Sequence, residues 1–405
     1  MDEAGGPFAA RFQAALARQG LKLSSEEEAS LLKLAGWMHD GLAGLDDAGQ
    51  ETPESGLPDL SIAEAGRRLR AGKLTSRELT KATLARIAER DGAYLSFYCL
   101  LGDTALAEAD RADAELASGL DRGPLHGIPV GIKDLIDVAG IPTTANAPGR
   151  AHAVAQKDAL VVERLREAGA IVIGKLATYE WATVGPDKRG LFPPARNPWN
   201  LDHITGGSSS GCAAAVAGGL IRTSVGTDTG GSLRGPSFYC GTVGLKPSFG
   251  LVPTDGVLNL APSLDHVGPI SATVEEAAIT LDVLAGRSGP DSAAAALGQS
   301  VAGLRIGYAR DWFVHDPQVM PEVVAAMDKA VSTLSGLGAV VSEVTLPDYP
   351  AIEVAAAAIL HAESFRLHAE TLRDHPEAYG RGAFLSLAAG LAVSDADLSK
   401  ARAEG

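Results

Sequence analysis

The chain has 405 residues, 46% of them hydrophobic and 21% charged, with a formal net charge of −15. That length supports one large domain or two ordinary ones with an ample core, and the composition excludes a disordered chain. The acidic balance argues against nucleic acid or an anionic membrane surface as a partner.

The first residues, MDEAGGPFAARFQ, lack a basic segment followed by an apolar core, so no secretory signal is expected. No stretch of about 18 apolar residues is present, so no membrane contact is expected and the location expected is cytoplasmic. Residues 7–44 read as two helices, FAARFQAALARQG and a second opened by Ser25 and Glu28 in capping-box spacing. The acidic, turn-rich stretch 46–59 reads as a linker. The domain division expected is therefore 1–45 helical extension, 46–59 linker and 60–405 main domain.

From Leu60, two further capping boxes, Ser61 with Glu64 and Thr75 with Glu78, open helices. LSFYCLL then reads as a strand. Downstream, helical segments alternate with short β-branched runs: VVERLREAG with AIVIGK, the CAAAVAGG run with GLIRTSVG, and VVAAMDKAVSTLSGLG with AVVSEVTL. This alternation predicts an α/β fold, a mixed and largely parallel sheet surrounded by helices. The three cysteines, Cys99, Cys212 and Cys240, form no C-x-x-C pair. That fits a reducing compartment and gives no disulfide framework or structural zinc site.

Three segments combine dense glycine with polar side chains: HGIPVGIKDLIDVAG (126–140), ITGGSSSG (204–211) and GTDTGGSLRGPSFYCGTVGLKPS (226–248). Lys133 follows a strand-like run and reads either as a catalytic lysine or as a salt-bridge partner of Asp134 or Asp137. Gly230 and Gly231 ahead of Ser232 permit backbone conformations that aim several N–H groups at one point, or simply form a turn. GSSSG matches the G-x-S-x-G nucleophile elbow around Ser209, but that elbow needs a strand running into the serine. The preceding ARNPWNLDHIT is a loop sequence, so the elbow loses its context although Asp265 and His266 lie downstream. A phosphate loop fails as well, because Cys212 stands where the lysine belongs.

Taken together, the three segments resemble the amidase signature family over roughly residues 60–310, with Ser208 and Ser232 spaced 24 apart as the family's paired serines are. The resemblance implies a Ser–cis-Ser–Lys triad, with Ser232 as nucleophile, Ser208 as the bridging serine and Lys133 as the base. It implies an oxyanion hole from the N–H groups of Thr229, Gly230, Gly231 and Ser232, with Asp228 and Arg234 supporting them. Burial disfavours an ammonium, so a buried Lys133 could accept a proton that a solvated lysine could not. The activity implied is hydrolysis of a linear C–N amide bond through an acyl-enzyme, extending to esters or carbamates, with no cofactor and no metal. The partner expected is a small-molecule amide, with a homodimer as the assembly. The alternative is the A subunit of a glutamyl-tRNA amidotransferase, which applies the same triad to glutamine in company with other subunits. A catalytically silent binding scaffold is a third reading, disfavoured because all three triad positions are filled.

Tyr179, Trp181 and Phe238 are expected to line the substrate pocket, with Phe192 and Trp199 as further aromatic candidates. His126 and His203 flank the motifs and read as structural. Gly235 departs from the bulkier residue, often Gln in the amidotransferases, that follows the arginine, which suggests a wider pocket beside Ser232. Members continue beyond a point equivalent to DLSKARAEG, so a further helix–strand portion is the family expectation there. The 7–44 helices are expected to pack on the domain or form a dimer contact, and bear some similarity to the small helical component of certain amidase complexes.

Overall fold

The structure, a computed structural model, describes residues 56–187, 189–347 and 349–404. The expected helical extension, its Ser25–Glu28 box and most of the expected linker lie outside the described residues. At the end of that linker, Leu57–Asp59 form a 3-10 turn. Asp59 ties the turn to the buried Arg86 through its two terminal guanidinium nitrogens.

Helix α1 (Ile62–Arg70) opens where expected, with the Ser61 hydroxyl accepting from the Glu64 N–H. Its buried Ile62, Ala65 and Leu69 fall three and four apart, while Arg67, Arg68 and Arg70 occupy the last turn. Helix α2 (Ser76–Tyr94) carries the complete capping box, Thr75 and Glu78 each accepting from the other's N–H. Such a cap typically contributes about 1 kcal/mol.

Strand β1 (Phe97–Leu100) follows, then α3 (Gly102–Ala117), β2 (Pro129–Lys133), α4 (Leu160–Glu167), β3 (Ile171–Leu176), α5 (Ser210–Ala217), β4 (Thr223–Asp228), α6 (Arg234–Cys240), β5 (Val243–Gly244), β6 (His266–Ser271) and α7 (Val274–Ala285). The strands form one mixed sheet in the order β1-β3-β2-β4-β6-β5. Its centre, β3-β2-β4, is parallel, and β1, β6 and β5 add antiparallel edges. Every residue of β2, β3 and β4 is buried, as a parallel core covered by helices on both faces requires. Alternation divides the core accordingly. Val130, Ile132 and Val172 pack with α1, α4 and α7, whereas Ile171, Ile173 and, beyond the register shift between β2 and β3, Leu176 pack with Cys212, Ala213 and Val216 of α5.

Farther along, β7 (Arg305–Tyr308) and β8 (Val340–Glu343) pair in parallel around α9 (Pro321–Gly336), after the short α8 (Asp311–Val314). The last three helices are α10 (Tyr349–Asp374), α11 (Arg381–Ala388) and α12 (Asp395–Glu404). Leu372, Tyr379 and Leu387 from this region share a core with Leu135, Ala145, Ala182 and Leu260. The C-terminal helices therefore close over the end of β2 and the loops that follow β3 and β5. No described helix is long and apolar enough to cross a membrane.

Candidate active site

Lys133, the last residue of β2, has a fully buried side chain. Its Nζ lies 2.8 Å from Ser208 Oγ and 2.8 Å from Thr227 Oγ1, near the end of neighbouring β4. The expected alternative, a salt bridge to Asp134 or Asp137, does not form, because Asp134 pairs with Lys175 instead. Burial pulls the Lys133 pKa from 10.5 down to about 7, only partly opposed by the more distant Cys212, Asp228 and Asp265. A substantial share of the amine is therefore uncharged at neutral pH and offers a lone pair to a hydroxyl proton.

The three consecutive serines divide by geometry. The peptide between Gly207 and Ser208 is cis. A Cβ on Gly207 would come within 2.3 Å of the Tyr179 ring, so only glycine lets that ring lie against the turn. Ser209 Oγ donates to Thr227 O at 3.0 Å, and Ser210 Oγ donates to Ala177 O at 3.3 Å. Both are buried structural ties, and Ser208 alone reaches the lysine. Neither Asp265 nor His266 completes an elbow around Ser209. Asp265 accepts from Thr229 Oγ1 and the N–H groups of Leu260 and Ala261, and His266 contacts Leu264 O and Lys246.

Ser232 sits on the loop between β4 and α6, 9% exposed, and its carbonyl accepts from the Ser209 N–H at 3.3 Å. That backbone bond joins the two serine-bearing segments. Asp228 organises the loop from beneath, accepting from the N–H groups of Gly231 (2.8 Å) and Leu233 (3.0 Å) and from the Arg234 guanidinium at 3.0 and 2.9 Å. Burial raises the Asp228 pKa, but the bonds from Arg234, Leu233 and Gly231 outweigh it and the carboxyl ends below its usual value. Gly231 has φ +122°, a region side-chain-bearing residues avoid, and its N–H donates to Asp228. One of the four N–H groups expected to face an oxyanion is thus directed to the carboxylate. Among the described residues, those of Thr229, Gly230 and Ser232 have no protein acceptor.

Ser208 and Ser232 both line a pocket of about 300 Å³, with Tyr179, Thr183, Gly230, Leu260, Leu360, His361 and Ser386. Of the expected aromatics, only Tyr179 lines it. Trp181 faces a neighbouring cavity. Phe238 is 67% exposed on the outer side of α6, edge-to-face with Tyr239. The expectation that it lines the pocket is therefore corrected: α6 buries Pro236, Ser237 and Cys240 and turns Phe238 outward. Trp199 is likewise exposed, its indole donating to Cys240 O, and Phe192 stacks on Tyr98. Gly235 lies outside the pocket lining, against Gly207 O. His126 is buried beside Glu115 and Arg122, away from the pocket.

Thr227 is a neighbour of Lys133 that the motifs contain without singling out, and its hydroxyl close to the end of a strand is the only sequence signal for it. Thr183, His361 and Ser386 carry none. Thr183 Oγ1 lies 2.5 Å from Ser386 Oγ, and His361 Nδ1 lies 3.0 Å from Ser386 O, contacts that exist only once α10 and α11 are folded over the loop.

The amidase family model matches residues 78–395. The A subunit of a glutamyl-tRNA(Gln) amidotransferase from Roseiflexus sp. (strain RS-1) is 43% identical over 303 residues, covering 73% of this chain. The chain spans 62% of that relative's length. A crystal structure of an amidase superposes with a TM-score of 0.76 at 34% identity, over 85% of this chain and 77% of the other. The native peptide amidase from Stenotrophomonas maltophilia gives 0.71 at 32% identity, over 85% and 78%. The conjunction of this fold with the match over most of its length is sufficient: the chain belongs to the amidase family, that of the amidase signature enzymes.

Proposed function

We propose that this chain hydrolyses a linear amide through a seryl acyl-enzyme, with Ser232 as nucleophile, Ser208 as proton relay and Lys133 as base. The observation that carries the reading is the buried Lys133 amine, 2.8 Å from the hydroxyl of Ser208, in a pocket that Ser208 and Ser232 both line. In this scheme Ser232 Oγ attacks the amide carbon and its proton passes through Ser208 to Lys133. The carbonyl oxygen becomes an oxyanion facing the N–H groups of Thr229, Gly230 and Ser232. The same proton returns to the leaving nitrogen, and the C–N bond breaks to release ammonia or an amine. Water then attacks the ester, giving its proton to the relay, and the acid leaves with Ser232 restored.

The amidotransferase relatives favour the side-chain amide of glutamine as substrate, which would make this chain one component of a complex, handing ammonia to a partner. A stand-alone amidase is the second reading. It is favoured by the uncharged side chains of Tyr179, Thr183, Leu260, Leu360 and Ser386 around the serines, which suit a neutral amide. Ammonia release from L-glutamine and from a panel of neutral primary amides and anilides, by wild type and Ser232→Ala, tests both. Turnover of any of them at wild-type rate by Ser232→Ala refutes the mechanism. Turnover of glutamine alone supports the amidotransferase reading, and turnover confined to neutral amides removes it.

A further inference from the structure

A second cavity, of about 440 Å³, lies against the catalytic pocket and is not used by the proposed reaction. The two divide the same segments between them. Trp181 lines this cavity while Ala182 lines the catalytic pocket, and Leu258 and Leu260 separate in the same way. Its wall combines aromatic and aliphatic side chains with the polar Asn259, Thr371 and His368 and one cation. Trp181 and His368 meet edge-on at 4.4 Å between centroids, and Tyr379 meets His368 edge-on at 5.7 Å. Leu258 and Leu367 complete the apolar surface.

The cation is Arg150, half-buried at the end of a 3-10 turn. Its Nε donates to Thr143 O at 3.0 Å, and its guanidinium carbon stands 5.5 Å from the centre of the Trp181 ring. Among the described residues no carboxylate comes within ion-pair distance of it; Arg86 and Arg166 are paired, while Arg164, also partly buried, instead donates to a backbone carbonyl. A partly desolvated guanidinium without a counter-ion is costly unless something anionic joins it. The acidic groups it senses, Asp137 and Asp134, act only at longer range. His368 does not add positive charge, since burial and the nearby Arg150 push its pKa down to about 4. Its Nδ1 is instead 2.9 Å from the Tyr379 hydroxyl.

We propose that this cavity binds an aryl carboxylate, its carboxylate on the Arg150 guanidinium and its ring between Trp181, Leu258 and Leu367. A guanidinium matches a carboxylate with two parallel hydrogen bonds, and the volume falls within the range of small-ligand pockets. Trp181 and Tyr379 select an aromatic body over an alkyl one through edge and face contacts. The proposal does not depend on the amide-hydrolysis reading.

The test is a calorimetric titration of the full chain with 2-naphthoate. Wild type is expected to bind it, and Arg150→Gln to weaken binding by about tenfold or more, a loss of about 1.4 kcal/mol. Arg150→Lys should fall between the two, and 2-naphthylmethanol, which keeps the ring without the charge, should bind wild type about tenfold more weakly than the acid. Ser232→Ala should bind the acid as wild type does. Thermal melting of Arg150→Gln establishes that it is folded. Equal binding by folded Arg150→Gln, equal binding of the alcohol, loss of binding in Ser232→Ala, or no binding to wild type up to about 10 mM each overturns the proposal.

Discussion

Lys133 and Lys175 stand at the ends of adjacent parallel strands, Lys175 opposite Ile132, and their buried amines are held by opposite chemistry. Lys175 Nζ lies 2.8 Å from Asp134 Oδ1 and is balanced by a carboxylate. Lys133, the residue next to that same aspartate in sequence, meets only the hydroxyls of Ser208 and Thr227. Asp134 is the first residue of the turn after β2, and its carboxylate is directed away from Lys133 and toward Lys175. One sequence neighbour thereby leaves one lysine paired and the other with a depressed pKa.

Replacing Lys133 by Met should separate stability from activity. We predict that Lys133→Met abolishes amide turnover yet melts at a higher temperature than wild type at pH 7. The depression from 10.5 to about 7 corresponds to at most about 5 kcal/mol of destabilisation below pH 7. Loss of the bonds to Ser208 and Thr227 offsets about 1 kcal/mol each, leaving a gain of about 1–3 kcal/mol. Between pH 7 and 10.5 the unfolded lysine holds a proton that the folded one has released, so wild type gains stability with rising pH. The advantage of the variant should shrink over that window. A lower melting temperature for the variant at pH 7 would contradict this account.

The same ionisation should govern the rate. Below its pKa the amine is protonated and cannot accept from Ser208, so kcat/KM should rise with pH and reach half its plateau near pH 7. A profile flat from pH 5.5 to 8.5 would remove Lys133 from the base role.

The parts of this molecule that are legible in its sequence are those whose determinants are local. The Ser61–Glu64 and Thr75–Glu78 pairs and the alternation of helices with β-branched runs each act within a few residues, and each gives the element expected. The three segments that hold Lys133, Ser208 and Ser232 stand out because glycines cluster around polar side chains there, and the family resemblance narrows them to these residues. The pocket wall is not legible, since Leu360, His361 and Ser386 reach it from helices more than 120 residues beyond Ser232. Phe238 misleads for a local reason. In the seven-residue α6 the buried positions are Pro236, Ser237 and Cys240, and the two aromatics fall on the opposite side.

The Asp228–Arg234 pair should be strongly asymmetric under mutation. Asp228 is fully buried and also holds the N–H groups of Gly231 and Leu233, whereas the Arg234 side chain is 54% exposed. Asp228→Asn removes the charge and replaces one of the two acceptor oxygens with an NH2 donor that faces N–H groups of the Ser232 loop or of Arg234. It should cost about 3–5 kcal/mol and reduce kcat about a hundredfold or more. Arg234→Gln leaves the backbone bonds to Asp228 in place and should cost about 1 kcal/mol with a modest loss of kcat. Chemical denaturation and steady-state kinetics on both variants check the ordering, and equal effects would contradict it.

Glu180 should give the active-site wall a pH-dependent stability of opposite sign to that of Lys133. The residue is 3% exposed, next to Trp181, and accepts from the Gly380 N–H that precedes α11 at 2.8 Å. Burial raises its pKa from 4.5 to about 7, with the bond from Gly380 opposing and the nearby Asp187 adding to the rise. Between those values the folded state binds a proton that the unfolded state has lost, so stability falls as pH rises through the window. Glu180→Gln, which stays neutral, should lack this slope. Its stability relative to wild type should therefore increase by about 3 kcal/mol between pH 4.5 and 8. Melting curves of the two proteins across that range measure the difference directly. A constant offset would mean that Glu180 titrates in the folded protein as it does in the unfolded one, its bond from Gly380 offsetting its burial.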